Sequence, residues 1–413
     1  MPLIAEPPHQ APPLIKDPTS RITGTALRLP SIDALRGLVM IIMALDHTRD
    51  FFNSSAQLFS PEDLSRTTVA LFMTRWVTHI CAPVFSFTAG LGAFFWMSHG
   101  RTPAQLSGFL WKRGVWLMFV DITIMRFGLT FSFTEGVLIL NVLWSLGLSM
   151  LCLALLVRLP VRWLAPLSIT VIALHNLADS ISADQFGTYA WLWNILHEPG
   201  LIKIGHFQAA VAYTLVPWFA VMALGFCFGR IIVLPAGQRR RWLTGLGLGC
   251  IAAFMIIRGI NGYGDPFPWS HEFSGMTALA FLRCTKYPPS LDFLLMTMGP
   301  AFLLLAWFDR LKFSLGNPLI VFGRVPFFYF VVHFYLIHLL TVPLALVHYG
   351  RAAFLLHPMP SVGGAAELYP PNYGYGLATV YAVWVAVLIM VYPLCRWFSD
   401  LKRRRKDWWL SYL

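Results

Sequence analysis

The stretch Ser31–Asp50, SIDALRGLVMIIMALDHTRD, decides the fold. Between Arg36 and Asp46 it carries no charge and no polar side chain. At 1.5 Å of rise per residue, a helix of this length spans about 30 Å, the thickness of a bilayer's hydrocarbon core. One end carries Asp33 and Arg36, and the other carries Asp46, His47, Arg49 and Asp50. The segment reads as a membrane helix with a titratable group near each surface.

The rest of the chain repeats that pattern. Hydrophobic residues make up 57% of the 413 and charged residues 12%, about half the charge fraction of a soluble domain. Hydropathy places ten spans at Ile32–Phe52, Thr74–Ser98, Leu106–Phe127, Gly136–Val157, Val161–Leu177, Ala209–Ile232, Trp242–Ile257, Ser290–Phe308, Asn317–Val347 and Gly376–Phe398. The predicted fold is therefore an all-α polytopic membrane protein of about ten transmembrane helices. The ninth span is too long for a straight crossing and contains Pro326 and Pro343. It is expected to be kinked, tilted or partly outside the membrane. Residues 1–30 are polar and Pro-rich, without the basic start, short apolar core and cleavage site of a secretory signal. They are expected to form a disordered tail, followed by one membrane domain over 31–400 with no internal repeat. Residues 401–413 end in KRRRKDWWLSYL, cations and tryptophans suited to an interfacial anchor.

Ten crossings put both termini on one side. That side collects 21 of the 31 Lys and Arg residues, nine fall on the other, and Arg324 lies within a span. The positive-inside rule makes the richer side cytoplasmic. The net charge of +12 thus reads as topology and lipid headgroup contact, and nucleic acid is not an expected partner. The six cysteines include no CxxC pair, and all but Cys284 fall in apolar segments. They read as packing residues without a disulfide framework. No metal-ligand set is expected.

Ionisable groups inside a bilayer are costly and mark function by default. His47, His79, His175, His206 and His338 all fall toward the external half, with Asp121, Asn141, Arg258 and Asp292. His175, His206, Arg258 and Asp292 sit at helix ends, where a charge can reach water. His333 and His338 are five apart, about 140° around a helix, so at least one of them is structural.

The first helix differs. Arg36 and His47 lie within about 20° of one face, and Asp33 within about 40° of it. Eleven residues separate Arg36 from His47 by roughly 16 Å along the axis. Asp46 and Asp50 flank His47, Arg49 can balance them, and Asp50 at i+3 is the better placed partner. A carboxylate beside an imidazole fixes its tautomer and raises its basicity. The bland alternative is an Asp–Arg helix start with a satisfied buried histidine.

The run SIDALRGLVMIIMALDH resembles the opening helix of the transmembrane acyltransferase superfamily. Trp76–Gly90, WVTHICAPVFSFTAG, Lys286–Pro300, KYPPSLDFLLMTMGP, and Phe322–His338, FGRVPFFYFVVHFYLIH, strengthen the likeness. The chain looks closest to bacterial proteins that share the catalytic domain of heparan-α-glucosaminide N-acetyltransferase. The usual Ser-Gly of the second helix appears as Ala89-Gly90. The resemblance implies an acyltransferase that uses cytoplasmic acyl-CoA, by preference acetyl-CoA, and an extracytoplasmic sugar or other hydroxyl or amine acceptor. It implies His47 as catalytic base or acyl carrier; the flanking Asp46 or Asp50 reads as tuning it, and His79, which enters the same outer layer from the second helix, reads as the second catalytic candidate. It also implies Asp33, Arg36, Lys112 and Arg113 at the donor side, and His338 is added as a substrate-binding candidate. Acyl-CoA enters as substrate, with no bound cofactor expected. The expected setting is a cytoplasmic (inner) membrane, with the bilayer, acyl-CoA and acceptor as partners and homo-oligomers compatible. A proton-coupled transporter and a haem-bearing electron carrier are the competing classes, since buried His, Asp and Arg suit a proton relay and His pairs suit axial ligation.

Overall fold

The computed structural model describes residues 29–133, 137–205, 207–270, 275–405 and 407–411. Most of the 1–30 tail and the histidines at 9, 206 and 271 lie outside them. Helix α1, Pro30–Phe52, starts with Pro at its first position and Asp33 in its first turn, both suited to a helix N-terminus. A short α2, Val69–Trp76, and α3, Cys81–Met97, follow, joined by a tight turn. The chain continues through α4, Pro103–Val120, a π turn at Asp121–Met125, and α5, Arg126–Thr130. Then come strand β1, Val137–Leu140, and helices α6, Val142–Leu156, α7, Val161–Leu174, and α8, Ala190–Leu196. Strands β2, Gly200–Ile204, and β3, Phe207–Val211, lead to α9, Trp218–Ile232, and α10, Ala236–Ile260. The last helices are α11, Thr277–Leu282, α12, Leu291–Phe308, α13, Pro318–Arg324, α14, Pro326–Tyr349, and α15, Leu377–Arg404.

Each of the ten predicted spans contains helix, but two of them begin on a strand, β1 and β3. Among the described residues, six helical stretches are long and apolar enough to cross a membrane by themselves: Val69–Met97, Val161–Ala178, Ala236–Ile260, Leu291–Phe308, Pro326–Tyr349 and Leu377–Arg404. The chain is a multi-pass membrane protein. Helix α1 has 23 residues but is charged at both ends, while α6 and α9 are apolar and shorter. The ninth span breaks at Val325, immediately before Pro326. Proline removes a backbone donor and pushes its predecessor out of the helical region.

The all-α expectation needs one correction. A three-stranded sheet of order β1-β3-β2 stands beside the helices. β1 runs parallel to β3 from Val137 opposite Gln208, and β2 antiparallel to it from Gly200 opposite Val211. Short apolar runs look alike as buried strand or helix. The helix that hydropathy began at residue 209 starts only after Pro217, at Trp218. The one that hydropathy began at residue 136 starts at Val142, with the Asn141 carboxamide accepting from the Val142 N–H.

Close backbone crossings set the core. A Cβ on Gly37 would strike the Leu319 carbonyl, and one on Gly323 would strike the Asp33 carbonyl. Helices α1 and α13 therefore meet backbone to backbone, as small residues permit between membrane helices. That crossing brings Arg324 to 3.7 Å from the Asp33 carboxylate, which also pairs with Arg36. At the same end Asp309, after α12, binds Arg239 of α10 at 2.8 Å.

Candidate active site

The polar end of α1 is held by ion pairs. The buried Asp46 carboxylate accepts from Arg75 Nη1 at 2.8 and 2.9 Å and from Thr78 Oγ1 at 2.9 Å. Arg49 sits 2.7 Å from Asp46 and also binds Asp50. Buried charges persist where such partners surround them. Glu62, in the loop before α2, lies 2.7 Å from His79 Nε2 and 3.7 Å from Arg75 Nε. Burial opposes its ionisation, but His79 and Arg75 outweigh burial and hold the carboxyl down at about 2. Glu62 is thus an anion at neutral pH.

His47 pairs with a residue of α14. Its Nδ1 lies 2.9 Å from His333 Nε2, with the rings 13° from parallel. His333 Nδ1 lies 2.7 Å from the Tyr329 carbonyl oxygen. A carbonyl can only accept, so a neutral His333 carries its proton on Nδ1 and presents a lone pair at Nε2. His47 must then donate from Nδ1, which leaves His47 Nε2 as an unprotonated base. Phe334 and Phe330 bring ring edges to His47 at centroid distances of 5.0 and 6.1 Å.

Two cavities meet beside this pair. The outer one, of about 540 Å³, is lined by Asp46, His47, Arg49, Asp50 and Arg75 from the α1–α3 region, and by Lys286 and Tyr287 from the loop before α12. Asp121 and Met125 of the π turn, Val137 and Ile139 of β1, and residues 358–362 line it as well. Alternate residues of β1 turn the other way: Leu138 and Leu140 pack with Ile202 and Val211, as strand geometry requires. The inner cavity, of about 320 Å³, is mostly apolar, with Arg36 and Arg113 on its wall. It runs past Thr88, Ala89 and Gly92 to Pro326 and Phe327, at the break between α13 and α14. Phe330 and Val142 line both cavities, so the two back onto each other across these side chains.

The structure divides the predicted site residues. His47, Asp46 and Asp50 share the outer cavity, yet Asp46 is held by Arg49, Arg75 and Thr78, Asp50 by Arg49, and the imidazole's partner is His333. His79 is buried against Glu62 and Phe293 and is not on the cavity wall. Arg36 and Arg113 share the inner cavity, Asp33 backs Arg36, and Lys112 is exposed away from it. His338 packs: its ring stacks on Phe131 at 3.9 Å and its Nδ1 lies 2.8 Å from the Gly128 carbonyl. His333, Phe330, Arg75, Glu62 and Lys286 join the site without having been singled out for it. Only their place in the YPPS-containing and FGRVPFFYF runs hinted at the first two and at Lys286. Among the described residues, no group of three or more His, Cys, Asp or Glu side chains is placed to hold a metal ion.

Residues 28–259, more than half of the chain, match the family described as heparan-alpha-glucosaminide N-acetyltransferase, catalytic. No curated protein sequence matches the chain significantly.

Proposed function

Because this chain belongs to the heparan-alpha-glucosaminide N-acetyltransferase catalytic family, we propose that it moves an acetyl group from cytoplasmic acetyl-CoA to a hydroxyl or amine acceptor outside the cytoplasmic membrane. The carrying observation is the pair of cavities that back onto each other beside His47. The nucleotide phosphates of CoA meet the guanidinium groups of Arg36 and Arg113, which suit phosphate oxygens. The pantetheine arm lies in the apolar inner cavity and brings the thioester past Phe330. The acceptor occupies the outer cavity and gives its proton to His47 Nε2 as its oxygen or nitrogen attacks the thioester carbonyl. The imidazolium that forms keeps its Nδ1–H on the His333 lone pair. Collapse of the tetrahedral adduct breaks the C–S bond, and His47 returns the proton to the thiolate. Free CoA and an acetylated acceptor result. Family membership favours this reaction over ion transport or electron transfer.

The decisive experiment follows thiol release from radiolabelled acetyl-CoA by the purified protein and identifies what becomes labelled. Release that depends on an added acceptor is expected; no release above buffer with any sugar or amine would end the proposal.

Two narrower predictions arise here. Arg36→Ala should weaken CoA binding about 10- to 100-fold, the scale of a lost hydrogen bond to a charged group, while binding of phosphate-free pantetheine changes little. Calorimetry with both ligands checks this, and equal loss for the two would make Arg36 structural. The charge bias also predicts ten crossings with both termini cytoplasmic. Reporter fusions at Pro199 and Pro358 should report the outside, and a cytoplasmic signal from either would break the topology.

A further inference from the structure

Lys286 has no role in the steps above, yet it is the cation least accounted for in the outer cavity. The residue is 7% exposed, lines the same cavity as His47, and lies in the loop between α11 and α12. Among the described residues no carboxylate lies within ion-pair distance of its ammonium, whose nearest ring is Tyr287 at 5.2 Å. The neighbouring acids are already committed: Asp46 to Arg49, Arg75 and Thr78, Asp50 to Arg49, and Glu62 to His79 and Arg75. Asp46 and Glu62 act on this ammonium only from beyond ion-pair distance, and a buried charge without a direct partner is costly. The cavity wall as a whole carries four basic side chains, Arg49, Arg75, Arg126 and Lys286, against the acids Asp46, Asp50 and Asp121.

We propose that Lys286 selects the acceptor: its ammonium binds an acidic oxygen group on the acceptor, a carboxylate or a phosphate ester, while another group of the same molecule meets His47. The assignment rests on acyl transfer at His47 and names the class of molecule that receives the acyl group. The anion gives the ammonium a direct ion pair, which Asp46 and Glu62 supply only at longer range. It also fixes the acceptor at a second point, so that the reacting hydroxyl or amine is held near the imidazole. Neutral sugars fill the cavity without that anchor.

The test uses the purified full chain with matched acceptor pairs: glucose and glucuronate, glucosamine and glucosamine 6-phosphate. Thiol release from acetyl-CoA gives kcat/KM for each, and thermal denaturation with each sugar alone gives binding. Wild type should prefer the acidic member of at least one pair about 10- to 100-fold. Preference for glucuronate alone assigns a carboxylate, and preference for the 6-phosphate alone assigns a phosphate. Lys286→Gln should bring that ratio close to one, and Lys286→Arg should retain most of it. A wild-type ratio near one in both pairs overturns the proposal, as does a Lys286→Gln protein that keeps its ratio while rates fall for both members. If no acceptor releases thiol, transfer fails but the lysine site is still decided. Stabilisation by an acidic sugar that disappears in Lys286→Gln supports it, and equal stabilisation of both proteins overturns it.

Discussion

His47→Gln is expected to reduce acyl transfer by about 10²- to 10⁴-fold, the usual contribution of a general base, while the protein folds and binds CoA nearly as before. Glutamine keeps a donor amide that can serve the His333 Nε2 lone pair, so the α1–α14 contact survives. What it lacks is a basic site. The hydrogen-bond chain runs in one direction only. The Tyr329 carbonyl accepts from His333 Nδ1 at 2.7 Å, and His333 Nε2 then accepts from His47 Nδ1 at 2.9 Å. The lone pair at His47 Nε2 follows from that order. The neighbouring acids cannot stand in for it, since Asp46 is saturated by Arg49, Arg75 and Thr78 and Asp50 is paired with Arg49. Steady-state thiol release, calorimetric CoA binding and a melting curve on the same preparation give the three readouts. A well-folded His47→Gln protein with near wild-type turnover would end the general-base assignment.

How far the sequence anticipated this geometry depends on the distance over which each feature is determined. The long helices were legible because each carries a continuous apolar run near bilayer length. An irregularity in the ninth span was legible from Pro326 and Pro343; the break falls before Pro326, where the ring removes a helical donor, while Pro343 stays inside α14. The shared face of Arg36 and His47 needed only the 100° rotation per residue, and the two do line cavities that adjoin along α1. Sequence spacing says which way a side chain faces but not which helix it meets. His333 was therefore invisible as the partner of His47, 286 positions away, and a neighbouring carboxylate was the nearest local substitute. The same limit hid Arg75 as the partner of Asp46 and Glu62 as the partner of His79. His338 attracted notice as a buried titratable group, but its ring lies flat on Phe131, a contact between α14 and the end of α5 that no local pattern encodes. The sheet was not legible because its strands are four or five residues long: β1 and β3 merge in hydropathy with α6 and α9, and β2 falls in a loop between spans.

Phe330→Trp should stop transfer without preventing donor binding. Phe330 is 8% exposed, belongs to the walls of both cavities, and brings its ring edge to His47 at 6.1 Å. In the proposed reaction, the thioester passes this side chain before it meets the base. The larger indole narrows the junction and holds the reacting carbon away from His47 Nε2. A displacement of about 1 Å at the reacting atoms can cost on the order of 10²-fold in rate, so thiol release should fall at least that far. Arg36 and Arg113 are untouched, and CoA affinity should stay within a few-fold of wild type. Phe330→Leu, apolar and smaller, leaves the junction open and should retain most of the rate. It also avoids the destabilisation of about 3–5 kcal/mol that a buried Phe→Ala change brings. The pattern that identifies a passage is loss with tryptophan, retention with leucine and unchanged CoA binding in both. Wild-type turnover in a stable Phe330→Trp protein would mean that the thioester reaches His47 by some other route. Parallel loss of turnover and CoA affinity would mean that the substitution had deformed the inner cavity as a whole.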